Sequence, residues 1–198
     1  MNEDELKQSK DIEKKISITD IAISKVPYIE SKGFSEKQNV IMRRLTQEVL
    51  ILSKEENHSN EAAITFDILS DNPLENYGIS YGDEHSVTIA ADTLSNHLLV
   101  SQDSIAVVVL HNHPSIQTFS LTDISFFLQY DNVRVMSVVS NYGKVHYLCK
   151  DKKFDLNEAI ILWEKCTEEL NKQSTVKELY YAALSFLAVC SEVGIYYS

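Results

Sequence analysis

His111-Asn112-His113-Pro114-Ser115 places two imidazoles at alternate positions, directly after the branched apolar run Ile105–Leu110. Such a run suits a central strand covered on both faces, and along a strand alternate side chains share a face. The two imidazoles therefore point the same way and Asn112 points the other. Two neutral imidazoles on one face are a natural start for zinc coordination. Pro114 has no N–H for a ladder, so it ends the strand just past the pair. Asp123 follows ten residues after His113, in the first turn of the next expected helix. A loop of that length can return its carboxylate to the strand end. Two His and one Asp leave a tetrahedral zinc with one position open to water, which is the arrangement of a catalytic rather than a structural site.

Water activated in this way needs a proton acceptor that is not itself a ligand. Glu61 is the best candidate, because it opens the apolar segment Ala62–Leu69, a strand expected in the same sheet as Ile105–Leu110. Glu55 and Glu56 are rivals, but they belong to a helix end and are expected in solvent. Ser120 is placed to donate a hydrogen bond to the oxyanion formed when a carbonyl is attacked. Ser120-x-x-Asp123 is also a helix N-terminal signature. An Asp engaged by a metal is expected to be unavailable for the cap, so the two readings compete. Ser115 is read as shaping its loop. His58, His85, His97 and His146 stand singly and are read as surface or packing residues. Among the nearby aromatic residues, Phe127 is expected in the core and Phe119 partly exposed, with Phe126 beside them as a further candidate for lining a groove.

The elements that must position these groups follow from periodicity and punctuation. Residues 1–34 are polar, with Pro27 and Gly33 as breaks, and read as an arm or weakly structured lead-in. Ser35-x-x-Gln38 is a capping box, followed by a helical stripe at Ile41, Leu45, Val49 and Leu52. The polar turn Glu55–Asn60 leads to Glu61. Ser86–Ala90 reads as a second strand and Thr93–Val100 as a short helix. A helix from about Leu121 presents Ile124, Phe127 and Leu128 on one face. Val133–Ser140 and Lys144–Cys149 read as a strand pair about the turn Asn141-Tyr142-Gly143. Beyond Lys153 two helical stripes recur, the second after the capping box Thr175-x-x-Glu178 and stopped by Gly194. The chain thus divides into an arm (1–34), a catalytic domain (35–153) and a C-terminal helical hairpin (154–198), the hairpin packing on the domain or docking a partner or second copy.

His111-Asn112-His113-Pro114-Ser115 followed by Ser120-Leu121-Thr122-Asp123 resembles the JAMM motif of the MPN-domain metallopeptidases, and the HNHPS stretch is similar to the RadC branch. The polar turn into Glu61-Ala62-Ala63-Ile64 resembles the place where that family carries its glutamate. The resemblance spans about residues 35–150. It implies an α/β class, with a three-layer α/β/α mixed sheet of the cytidine-deaminase-like kind. It also implies zinc-dependent hydrolysis of peptide or isopeptide bonds, in a protein or peptide substrate such as a ubiquitin-like conjugate. Nine residues separate His113 from Asp123, one fewer than the family's usual interval, so a tighter loop is expected. The helix-hairpin-helix segment that precedes RadC domains has no counterpart, so the RadC likeness brings no DNA role with it.

Composition bounds the remaining classes. Eighteen basic against 29 acidic residues give a net charge of −11. Such a chain repels phosphate backbones and is not expected to bind nucleic acid. The apolar runs are too short to span a bilayer, and the acidic start Met1–Glu5 is unlike a secretory signal. Cys149, Cys166 and Cys190 are odd in number and show no C-x-x-C, which argues for buried free thiols in a cytoplasmic, reducing setting. Two other classes stay open at this level. One is a non-hydrolytic MPN-type interaction module, and the other is a RadC-like DNA-processing accessory.

Overall fold

The computed structural model describes residues 14–31, 33–100 and 106–198. The acidic start Met1–Glu5 and Ile105 therefore lie outside the described residues. The protein is α/β; the described residues form six α-helices and a mixed six-stranded sheet in the order β2-β1-β3-β4-β5-β6. The strands are β1 (Ala62–Asp67), β2 (Tyr77–Tyr81), β3 (Val107–His113), β4 (Val133–Ser140), β5 (Val145–Lys150) and β6 (Ile195–Tyr197). Only β3 and β4 run parallel; every other neighbouring pair is antiparallel. β3 is buried at every position, as a strand covered on both faces must be.

Helices cover both faces. Helix α2 (Glu36–Glu56) starts at Ser35 with both halves of the capping box formed. Its Ile41, Leu45 and Val49 pack on Ile64, Phe66, Val108 and Leu110. On the opposite face lie α4 (Leu121–Gln129), α5 (Leu156–Thr167) and α6 (Val176–Val189). There Phe127 and Phe186 meet Val107, Val109 and Met136. The alternation that sends Ile64 to one core and Ala63 to the other is the period-two parity of a strand.

The N-terminal arm departs from the weakly structured lead-in expected of it. Residues 14–19 run extended, and α1 (Asp20–Lys25) follows, capped by the Thr19 hydroxyl. Ile18, Ala22 and Val26 are buried, but only Ala22 lies within α1, so no periodic stripe marks the segment in the sequence. The second strand is also not where expected. Ser86–Ala90 is no strand: Asp83 Oδ1 accepts from the His85 and Ser86 amides at 2.8 and 2.9 Å. The Asp83 amide in turn donates to the Ser86 carbonyl at 3.0 Å. This turn takes the amide and carbonyl of Ser86, which a ladder there would need. Ile89 is then buried from a short 3-10 turn, Ile89–Ala91, and α3 (Thr93–Val100) follows as expected. The edge position goes to Tyr77–Tyr81 instead. A Cβ at its Gly78 would lie 2.1 Å from Asp92 Oδ1, so glycine there permits the close approach of the 92–95 segment.

The C-terminal residues contribute to the sheet as well as to the helical layer. Gly194 takes a left-handed φ of 76° and turns the chain into β6, which pairs with β5. None of the described helices is long and apolar enough to cross a membrane.

Candidate metal centre

β3 delivers His111 and His113 to one side of the sheet, as their alternation demands. Their Nε2 atoms stand 3.1 Å apart. Asp123, in the first turn of α4, sends Oδ1 to within 3.2 Å of His111 Nε2 and Oδ2 to within 3.3 Å of His113 Nε2. Both imidazoles are buried, and the Asp123 side chain is 14% exposed. These three residues form a group able to hold a metal ion. Two further features suit a ligand set. His113 has a hydrogen bond with the Gln117 backbone, which can fix the ring while leaving Nε2 for a metal. The chemistry of the set, two imidazoles and one carboxylate, is that of divalent transition metals.

Burial alone would raise the Asp123 carboxyl, but the facing His111 and His113 and their hydrogen bonds hold it well below the ordinary carboxylate range. Burial alone would lower His113; the Asp123 charge and hydrogen bond, with Glu61 behind them, raise it instead. The Asp123 carboxylate thus faces two ring nitrogens at once.

Asp123 makes the helix cap and faces the imidazoles at the same time. Asp123 Oδ2 accepts from the Ser120 amide and from Ser120 Oγ, both at 2.7 Å, while the Asp123 amide donates to Ser120 Oγ at 3.2 Å. The capping box is complete and the same carboxylate faces both imidazoles. A carboxylate has about four acceptor positions over its two oxygens, enough for both tasks. The Ser120 hydroxyl proton is thus directed at Asp123, and Ser120 orients the carboxylate. Ser115 accepts from the Gln117 amide at 3.3 Å and shapes the loop as expected.

Glu61 lines the same cavity as His111, His113 and Asp123. The register explains why. β1 and β3 are antiparallel with Ala63 opposite His111, and Glu61, two residues before Ala63, shares its parity and so the face that carries the two imidazoles. Glu61 is 6% exposed. Burial pushes its carboxyl up, against the pull of His113 and His111. Glu55 and Glu56 are exposed at the end of α2.

Phe127 is core, as expected, but Phe119 is 1% exposed rather than partly exposed. Tyr197 of β6 covers it edge-on, with ring centroids 6.3 Å apart. Both Phe119 and Phe126 line the cavity, and so does His85.

The supporting residues that the sequence left unassigned are asparagines. Asn112 is fully buried on the α2 side. Its Oδ1 accepts from the Ala62 amide at 2.7 Å, and its Nδ2 donates to Ser53 Oγ, the Asn60 carbonyl and Asn141 Oδ1 at 3.1, 3.1 and 2.8 Å. Asn141 Nδ2 donates in turn to the carbonyls of Ile16 and Ser59 at 2.7 and 3.0 Å. The Ile16 amide closes the circuit on the Pro114 carbonyl at 2.8 Å. One network thus ties the His-bearing strand to the turn that presents Glu61. A signal for Asn112 was available: a polar residue on a strand covered on both faces must find buried partners. No family model, no curated protein and no solved structure matches this chain.

Proposed function

We propose that the protein is a zinc-dependent hydrolase of the JAMM type, in a RadC-like domain of MPN fold, which cleaves a peptide or isopeptide bond in a protein substrate. The observation that carries this reading is the group His111, His113 and Asp123, able to hold a metal ion, sharing one cavity with the buried carboxylate of Glu61. Around a tetrahedral zinc with bonds of about 2.0–2.1 Å, ligand atoms lie about 3.3–3.4 Å apart. The two imidazole Nε2 atoms, 3.1 Å apart, approach that spacing, and one ligand atom from each of His111, His113 and Asp123 lies within 4.8 Å of the others. The sheet with helices on both faces supports the cytidine-deaminase-like arrangement, and three free cysteines suit the reducing cytoplasm.

His111, His113 and Asp123 would hold the metal, with Ser120 keeping the Asp123 carboxylate in place. Zinc, when bound, supplies the Lewis acidity that makes water nucleophilic and polarises a carbonyl. Glu61 would accept a proton from the attacking water and pass it to the leaving amine. Its raised proton affinity brings it nearer the operating pH that such a two-way role requires. Ser120 serves the oxyanion only by turning its hydroxyl away from Asp123, so its larger contribution is to orientation.

Elemental analysis of protein expressed with zinc, together with digestion of a proteome-derived peptide library read by mass spectrometry, tests the reading. Wild type is expected to carry about one zinc per chain, given three protein ligands and an open position. Glu61→Gln keeps the zinc and loses about 10²–10⁴-fold in turnover. Loss of zinc in E61Q would make Glu61 a ligand and overturn its role as base. Wild type that retains zinc but cleaves neither the library nor ubiquitin-like conjugates would favour the interaction-module reading.

A further inference from the structure

The cavity over the metal centre has a volume of about 400 Å³, and its outer wall comes from an unexpected place. Helix α6 divides its apolar residues between two tasks. Ala183, Phe186 and Leu187, in its second half, are buried in the core. Val176, Leu179 and Tyr180, in its first two turns, line the cavity instead. Val176 and Leu179 remain 51% and 38% exposed. Leu121 and Phe126 of α4 extend this apolar wall toward Asp123. Large apolar side chains left open beside a polar site are a feature of ligand-binding surfaces.

Charge narrows the ligand further. The residues lining the cavity include the carboxylates of Glu61, Glu84 and Asp123, and among the described residues that line it none is Lys or Arg. Lys15 approaches from outside, 3.8 Å from Glu84, and so is already paired at the rim. An acidic side chain held against the α6 wall, away from the metal, would find apolar neighbours and no Lys or Arg to receive its charge. An uncharged apolar side chain meets no such penalty and gains by burial.

We propose that the first two turns of α6, with Leu121 and Phe126, form a side-chain subsite that selects substrates carrying a large apolar residue next to the scissile amide. This rests on the reading of the centre as an open zinc site. It assigns the C-terminal hairpin a share in substrate choice, through residues more than fifty positions beyond the metal ligands.

The test uses the zinc-loaded full chain and three metal-binding probes, the hydroxamates of N-acetyl-glycine, N-acetyl-leucine and N-acetyl-glutamate, titrated calorimetrically. A pocket that accepts several methylenes discriminates by about tenfold or more. The leucine probe is therefore expected to bind at least about tenfold tighter than the glycine probe, and the glutamate probe more weakly than glycine. In Leu179→Ser and Val176→Ser, both at exposed positions, the leucine-to-glycine ratio falls toward one while zinc content stays at the wild-type value. Equal binding of leucine and glycine probes by wild type would overturn the subsite and leave the zinc reading standing. An undiminished ratio in both variants would remove α6 from the subsite. Failure of all three probes on protein that contains zinc would overturn the open metal position, and the subsite with it.

Discussion

Replacing Asn112 by alanine removes a fully buried amide that touches four groups from three segments of the chain. The loss falls unequally. Ser53 Oγ and the Asn60 carbonyl also bond one another, so each keeps a partner. The Ala62 amide and Asn141 Oδ1 lose the contacts at 2.7 and 2.8 Å. A buried polar group left without its partner costs about 1–3 kcal/mol, so two cost about 2–6 kcal/mol. That is a large share of the roughly 5–15 kcal/mol that holds a domain folded. Denaturant unfolding of the metal-free protein, in chelator, reads the effect without interference from metal binding. Hydrogen exchange supplies a local readout, because the Ala62 amide should exchange faster relative to the middle of β1. Asn112→Asp sharpens the argument. It keeps an acceptor for Ala62 but turns a donor into an acceptor facing the Asn60 carbonyl and Asn141 Oδ1, so it should cost at least as much as alanine at neutral pH. If N112A unfolds within about 0.5 kcal/mol of wild type, an effect no larger than an ordinary surface substitution, the network does not tie the His strand to the Glu61 turn and the reasoning is wrong.

Three further outcomes are expected. His113→Ala and Asp123→Ala should each lose the metal after zinc-supplemented expression, since two remaining ligands hold zinc poorly; metal-free wild type under the same conditions would sink the site. Binding to duplex or single-stranded DNA should be weak even at low salt, because a chain of net charge −11 neutralises few phosphates; submicromolar binding at physiological salt would revive the DNA-processing reading. Lys150, 7% exposed with Nζ donating to the Tyr130 carbonyl at 2.7 Å, has its ammonium pushed down to about 8 from 10.5, chiefly by burial. Between those two values the unfolded chain binds the extra proton, so this group makes stability rise with pH across the window. The gain amounts to about 3 kcal/mol when complete. Unfolding of wild type and Lys150→Met, compared at pH 7.5 and 10.5, should show wild type gaining on the variant. A pH-independent difference would mean that the contacts of Nζ with the Phe127 and Phe154 rings, at 4.7 and 4.8 Å, and with Tyr130 offset the burial.

Short-range geometry made part of this protein legible from sequence. Parity along β3 sets His111 and His113 on one face. The Ser35, Ser120 and Thr175 boxes mark three helix starts, because a capping box is satisfied within four residues of chain. The turn Asn141-Tyr142-Gly143 gives the β4–β5 pair, with Gly143 at a φ of 84°. What the tertiary structure alone decided is long-range. The edge position went to Tyr77–Tyr81, while a side-chain turn at Asp83 took the Ser86 amide and carbonyl and Ile89–Ala91 formed a 3-10 turn. Glu61 reaches the cavity through the antiparallel register of β1 on β3, and Asp123 serves cap and imidazoles together because its two oxygens face different neighbours. Val176, Leu179 and Tyr180 close over a site more than fifty residues away in sequence. Periodicity and caps are settled by neighbours along the chain. Register and cavity walls are settled by which distant surfaces bury one another, and no local pattern encodes that choice.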